Sequence, residues 1–136
     1  MREILFRGKR TDNGEWVEGY YYKAKYCRTD DELCDYITVP HPKEYNEPSS
    51  HYIVDPDTVG QYTGLKDKNG TMIFEGDIVK KFWFGKMCIY QIDYDNGLAS
   101  FIGRAGMKFT TFDYDSEEFE VVGNIHDNPE LLGGNG

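Results

Sequence analysis

No apolar run in the sequence approaches membrane-spanning length, and no apolar stripe recurs at helical spacing over eleven residues. The first lack leaves no helical membrane span, and the second leaves little room for an amphipathic helix. Basic residues are also scarce: 15 Lys and Arg stand against 24 Asp and Glu, a net charge of −9. A protein that binds phosphate backbones carries a basic patch. Here residues 1–58 carry eight basic and twelve acidic side chains, residues 59–90 five and three, and residues 91–136 two and nine, so only the middle leans basic. The excess of acid reads first as solubility and self-repulsion, and second as a surface for basic partners. No Gly-x-Ser-x-Gly elbow, phosphate-cradling loop or dinucleotide fingerprint occurs. Gly103-Arg104-Ala105-Gly106 lacks the strand–turn–helix setting that aims amides at a phosphate. Only three cysteines occur, Cys27, Cys34 and Cys88. The opening Met-Arg-Glu-Ile-Leu-Phe-Arg-Gly does not read as a signal peptide. The expected location is the cytoplasm, with the thiols reduced.

What is present is aromatic and strand-like. The chain has 136 residues, 39% of them hydrophobic and 15% aromatic, with 11 tyrosines. That suits one core-bearing, β-leaning domain. Ile4-Leu5-Phe6 and Trp16 to Tyr22 flank the turn Thr11-Asp12-Asn13-Gly14 and are expected to pair as a hairpin, with Gly19 as a bulge. Thr29-Asp30-Asp31-Glu32 fits a capping box, so residues 30–34 form either one helical turn or an acidic loop. Asp35–Val39 and His51–Val54 read as strands, separated by an exposed Pro40–Ser50 loop. Asn69-Gly70 predicts a tight hairpin with positive φ at both positions. Asp77–Phe84 and Met87–Tyr94 are expected to pair across a Gly85-Lys86 turn. Asp95-Asn96-Gly97 leads into Leu98–Ile102, Gly103–Gly106 breaks the pattern, and Lys108–Phe112 and Phe119–Ile125 close the strand series. Asn128-Pro129-Glu130-Leu131-Leu132 predicts one helical turn. Short strands separated by turns point to an all-β barrel or roll. The expected organisation is an N-terminal β region with a long loop over 1–58, a barrel over 59–128 and a flexible tail over 129–136.

Three blocks carry a family resemblance. They are the opening Met-Arg-Glu-Ile-Leu-Phe-Arg; Gln61 to Gly70 with its Glu75-Gly76-Asp77-Ile78-Val79 continuation; and Val122-Gly123-Asn124-Ile125-His126-Asp127-Asn128-Pro129-Glu130-Leu131-Leu132. Together they resemble the YopX family. The resemblance implies a bacteriophage or prophage protein with a fold similar to a small Src-homology-3-type β-barrel carrying extra β structure. The family's molecular function is unassigned, so the resemblance supplies no catalytic residue.

Candidate chemistry is thin. Asp93-Tyr94-Asp95 and Asp113-Tyr114-Asp115 place carboxylate pairs on one strand face, but the calcium-loop pattern fails and turn roles are expected instead. Cys27, Cys34, His41 and His51 lack the tight knuckle of a structural zinc site. The thiols and His41, His51 and His126 form no organised nucleophile and base pair. No metal, cofactor or catalytic residue is therefore expected. The stretch Lys80-Lys81-Phe82-Trp83-Phe84-Gly85-Lys86 combines rings with cations. Alternation puts Lys81 and Trp83 on one face and Lys80, Phe82 and Phe84 on the other. Tyr20 and Tyr22 put rings on one face of their strand and Tyr21 on the other. The expected interaction surface is Lys80, Lys81, Trp83, Lys86, Tyr20 and Tyr22. The leading expectation is a non-enzymatic accessory module that binds a protein partner or a second copy of itself. Nucleic-acid binding through Lys80, Lys81, Trp83 and Lys86, DNA mimicry by the acidic C-terminal third, and a hydrolase with an unrecognised site remain open.

Overall fold

A computed structural model of the protein describes residues 4–25, 33–39, 50–111 and 116–133, and of Trp83 and Ser116 it describes the backbone only. Cys27, His41, the capping box, residues 40–49 and the 113–115 pair lie outside the described residues. The chain divides into two compact units, Met1–Gln61 and Tyr62–Gly136.

In the first unit β1 (Phe6–Lys9), β2 (Trp16–Lys25), β3 (Leu33–Val39) and β4 (Ser50–Val54) form an antiparallel ladder in the order β4-β3-β2-β1. The predicted first hairpin forms, with Lys9 opposite Trp16 and Phe6 opposite Gly19. Leu33 and Cys34 belong to β3, so the helical turn considered over 30–34 does not extend to them. Gly19 is not a bulge. The β1 register runs unbroken up to it, ending at Phe6 opposite Gly19, and β2 takes up β3 at the next residue, Tyr20 opposite Thr38. A Cβ on Gly19 would fall on the Thr38 carbonyl oxygen, well inside van der Waals contact. Glycine is here because another backbone passes too close for any side chain. After β4, Asp55 caps a 3-10 turn over Pro56–Thr58, and its carboxylate accepts from the Asp57 N–H at 3.0 Å. Strand β5 (Gly60–Lys66) begins in this unit, where Gly60 and Gln61 pair with Arg7 and Phe6.

Ile37 and Val54 are fully buried in this unit, and the Phe6 and Tyr21 rings meet at 5.4 Å. Among these apolar groups lies a buried carboxylate, Asp35. Tyr21 Oη donates a hydrogen bond to it. Burial first, and then the Asp35 carboxylate, push the Tyr21 phenol up to about 12. The raised value means the folded state holds this proton more tightly than the unfolded chain, whose phenol titrates near pH ~10. This contribution is complete below pH ~10 and is lost as pH rises towards about 12. Tyr21→Phe should destabilise the protein by about 2 kcal/mol at neutral pH, because a buried carboxylate loses its donor. It should also flatten the alkaline fall in stability. Urea titrations at pH values on either side of ~10 check both effects.

The second unit starts with the rest of β5, which pairs with β6 (Met72–Phe74) through Tyr62 opposite Phe74 and Lys66 opposite Met72. Strands β7 (Asp77–Trp83), β8 (Lys86–Asp95), β9 (Ser100–Ala105), β10 (Lys108–Thr110) and β11 (Glu120–Asn124) form an antiparallel ladder in the order β10-β9-β8-β7-β11. Gly103, expected at a break, stays inside β9 opposite Ile92. The turn falls at Gly106 instead, where φ is +64°. Ile73, Val79, Ile92, Phe101 and Phe119 form the buried core, with Leu65, Tyr90 and Val121 packed against it. Each of the five stabilises the fold by about 1.5–3 kcal/mol through lost water contact.

This ladder is open among the described residues, because β10 and β11 each pair on one side only. The all-β fold is as expected, but these pairings do not make the closed barrel. Strand β10 has three residues and the β11 register slips between Val121 and Gly123, so neither edge offers a long seam to close on.

Two buried aspartates organise the family blocks. Asp67 Oδ1 accepts from the N–H groups of Asn69 (2.8 Å) and Thr71 (2.9 Å), and its Oδ2 accepts from Val121 N–H (2.9 Å). Only Gly70 takes a positive φ in this turn, +81°, so the hairpin is not the expected turn with two left-handed residues. The Asp67 carboxylate holds Asn69 on the ordinary side. Asp77 Oδ2 accepts from Phe74 N–H at 2.8 Å and fixes the Glu75-Gly76 corner. In the closing block Asn124 Oδ1 accepts from the N–H groups of His126 and Asp127, and Asn128 Oδ1 accepts from Asn124 N–H. The expected helical turn follows as α1 (Glu130–Gly133), in contact with β8.

Candidate functional site

The β7–β8 hairpin carries four of the six expected surface residues. Trp83 pairs with Lys86, so the loop is Phe84-Gly85, one residue earlier than expected. Their φ values are +45° and +82°, the doubly left-handed turn for which Asn-Gly is the preferred pair. Phe84 therefore holds a strained conformation while its ring is 99% exposed. Behind it Phe82 faces Met87 across the two strands, 63% and 48% exposed. Met107 and Phe109, on the neighbouring β9–β10 hairpin, are also exposed. Lys86 and Lys108 are exposed as well, but register puts both on the opposite face from Phe82, Met87 and Phe109.

The expected cations do not form one patch. Lys81 is 6% exposed on the core face. Its ammonium lies 2.8 Å from Glu118 Oε2 and 5.2 Å from the Phe119 ring centroid. Lys80, on the opposite face by alternation, shares Glu120 with Lys68, each at 3.4 Å. The Lys80 hydrogen bond, helped by Lys68, holds the Glu120 carboxyl below the usual range despite its desolvation. Two of the three lysines proposed to read phosphate are thus held by carboxylates. The Trp83 side chain lies outside the described residues.

Asp93 and Asp95 share a face as expected, but Arg104 spans them, with Nε 2.9 Å from Asp93 and Nη2 3.0 Å from Asp95. Asp95 also accepts from Leu98 N–H, the largest of the causes that hold its carboxyl below the usual range. Among the described residues no group of three or more His, Cys, Asp or Glu side chains is placed to hold a metal ion. Cys34 lies four residues along β3 from Thr38, the partner of His51. Two depressions on the second unit, one around Tyr62, Lys66 and Lys68 and one around Ile89, Arg104 and Leu132, include neither histidine nor thiol. No helix among the described residues is long and apolar enough to cross a membrane.

Tyr20 and Tyr22 sit on the first unit, 58% and 37% exposed. Register places Tyr36, Thr38 and His51 on the same face. Tyr22 stacks on Tyr36 at 5.1 Å and 9°. His51 Nδ1 lies 3.0 Å from Tyr22 Oη and 2.9 Å from Thr38 Oγ1. Further along this face of β2, the Arg7 guanidinium and the Lys9 ammonium lie 4.7 and 5.7 Å from the Trp16 ring centroid. Alternation along β2 carried the signal for Trp16, Tyr20 and Tyr22. The cross-strand members Tyr36 and His51 needed the β3 and β4 registers.

The fold and these surfaces define an all-antiparallel β protein that displays aromatic patches on each of its two units. The family model described as YopX protein matches residues 5–133, and the chain belongs to the YopX family. A solved structure entitled "Crystal structure of protein EF1440 from Enterococcus faecalis" is similar, with 28% identity and a TM-score of 0.52. The match covers 97% of this chain and 99% of that one. None of the curated proteins matches.

Proposed function

We propose that the protein is a non-enzymatic phage or prophage accessory module that binds a protein partner in the host cytoplasm through the β7–β8 hairpin end. The observation that carries this reading is Phe84, an almost fully exposed ring at φ +45°. Asparagine would meet that φ with less strain than phenylalanine does. Exposed apolar anchors backed by a second apolar pair are what binding hot spots are made of.

Phe84→Asn should stabilise the isolated protein by about 0.5–1 kcal/mol, read from the urea midpoint. The same variant should lose the partner captured by wild-type protein in a cross-linking pulldown from host cells. A partner retained equally by Phe84→Asn, or no partner for the folded wild type, overturns the proposal. So does light scattering that shows concentration-dependent dimers abolished by Phe84→Asn, which would make a second copy the occupant.

A further inference from the structure

We infer that the outer face of the β4-β3-β2-β1 ladder binds single-stranded nucleic acid, on a surface distinct from the lysine hairpin considered first. Three observations converge on it. Trp16, Tyr20 and Tyr22 lie on one side of β2, and register adds Tyr36 and His51 from the neighbouring strands. Rings on a sheet face accept bases by stacking whatever their sequence, because every base has a π face. Tyr20 offers the most exposed ring of the row. Tyr20 and Tyr22, alternate residues on one strand, are about 6.7 Å apart, and Trp16 lies about twice that distance from Tyr20. The Tyr20–Tyr22 spacing is twice the ~3.4 Å rise of a stacked strand, so these rings suit bases pulled apart rather than a duplex.

The charged groups of the face supply the second observation. The Arg7 guanidinium and the Lys9 ammonium lie over the Trp16 ring, so this end of the row offers cations to a phosphate rather than a bare ring to a base. Glu18, opposite Arg7, is the acid among them. The chain is acidic overall, yet among the described residues of this face two cations stand against one carboxylate. The third observation is the imidazole. His51 Nδ1 is engaged by the Tyr22 and Thr38 hydroxyls, so Nε2 is the nitrogen left to meet a base edge or a phosphate. Polar edges on every ring fit nucleobases, whereas the apolar anchors for a protein lie on the other unit.

The test is fluorescence anisotropy of a labelled thymidylate or uridylate oligomer of about 20 nucleotides, long enough to cover such a site. The expected result is saturable binding by the intact protein, weakening about 7-fold when salt is quadrupled, as two phosphate contacts require. Tyr20→Ala should weaken it about 5- to 150-fold, with the thermal unfolding midpoint unchanged because the ring is exposed. Phe84→Asn should leave it unaffected, which separates this inference from the protein-partner proposal. No anisotropy change at about 100 µM protein, equal affinity for a duplex, or full affinity in Tyr20→Ala overturns it. Loss of a captured protein, and not of oligonucleotide, in Tyr20→Ala also overturns it.

Discussion

Asp67→Ala should cost about 3 kcal/mol of stability, because three backbone amides lose a buried charged acceptor at once. The carboxylate is 4% exposed and joins two amides of its own turn to Val121 on β11. Asp67→Asn should cost about half as much, since one oxygen still serves Asn69 and Thr71 while the amide nitrogen opposes the Val121 donor. Burial pushes the Asp67 carboxyl up, but the amides of Val121, Thr71 and Asn69 outweigh it and hold it below its ordinary value. A depressed folded value means the contribution is present above the unfolded titration near pH ~4 and disappears as pH falls through the lower folded value. The wild-type advantage over Asp67→Ala should therefore be full at neutral pH and shrink in acid. Urea midpoints across the acid range measure it, and a constant difference would contradict the assignment.

Gly19→Ala should be at least as damaging, about 3 kcal/mol or more. The new methyl would meet the Thr38 carbonyl oxygen, with an Ile37 methyl group behind it. Backbone cannot rotate away as a side chain does, so β2 and β3 would have to part where their ladder begins. The Tyr21–Asp35 hydrogen bond spans the same two strands and should weaken with them. Thermal denaturation gives the loss, and an alkaline titration of Gly19→Ala should find the Tyr21 phenol back towards its ordinary range.

Strands and most turns were legible because this chain alternates apolar and polar residues between glycine corners, a local signal. The misses have local causes too. Local signals put the 84–85 hairpin one residue late, because phenylalanine is a poor left-handed residue and Gly85-Lys86 makes a better turn on sequence alone. Glycine at 19 looked like a bulge because a sequence does not show which carbonyl will pass overhead. Lys81 sits where alternation with Val79 puts it, on the core face, but its charge argued for solvent. Glu118, which makes burial tolerable, is far along the chain and became a partner only through the β7–β11 pairing. Short strands between turns, and the family resemblance, point to a barrel or roll, but neither shows whether the sheet edges meet. Of the candidate surfaces, the β2 row could be read by counting in twos, while the Tyr36 and His51 additions depended on pairings across long connections.

The 54-residue separation between Asp67 and the amide it holds on β11 has a consequence for how the protein is made. At roughly 5–20 residues per second, the ribosome delivers Val121 about 3–11 s after the aspartate. During that interval the carboxylate has only its own turn to serve, and Phe119 has not yet arrived to fill the core. The second unit must therefore complete itself late, only once the β11 segment has been made. A nascent chain stalled before Val121 would present an unfinished sheet to chaperones and proteases.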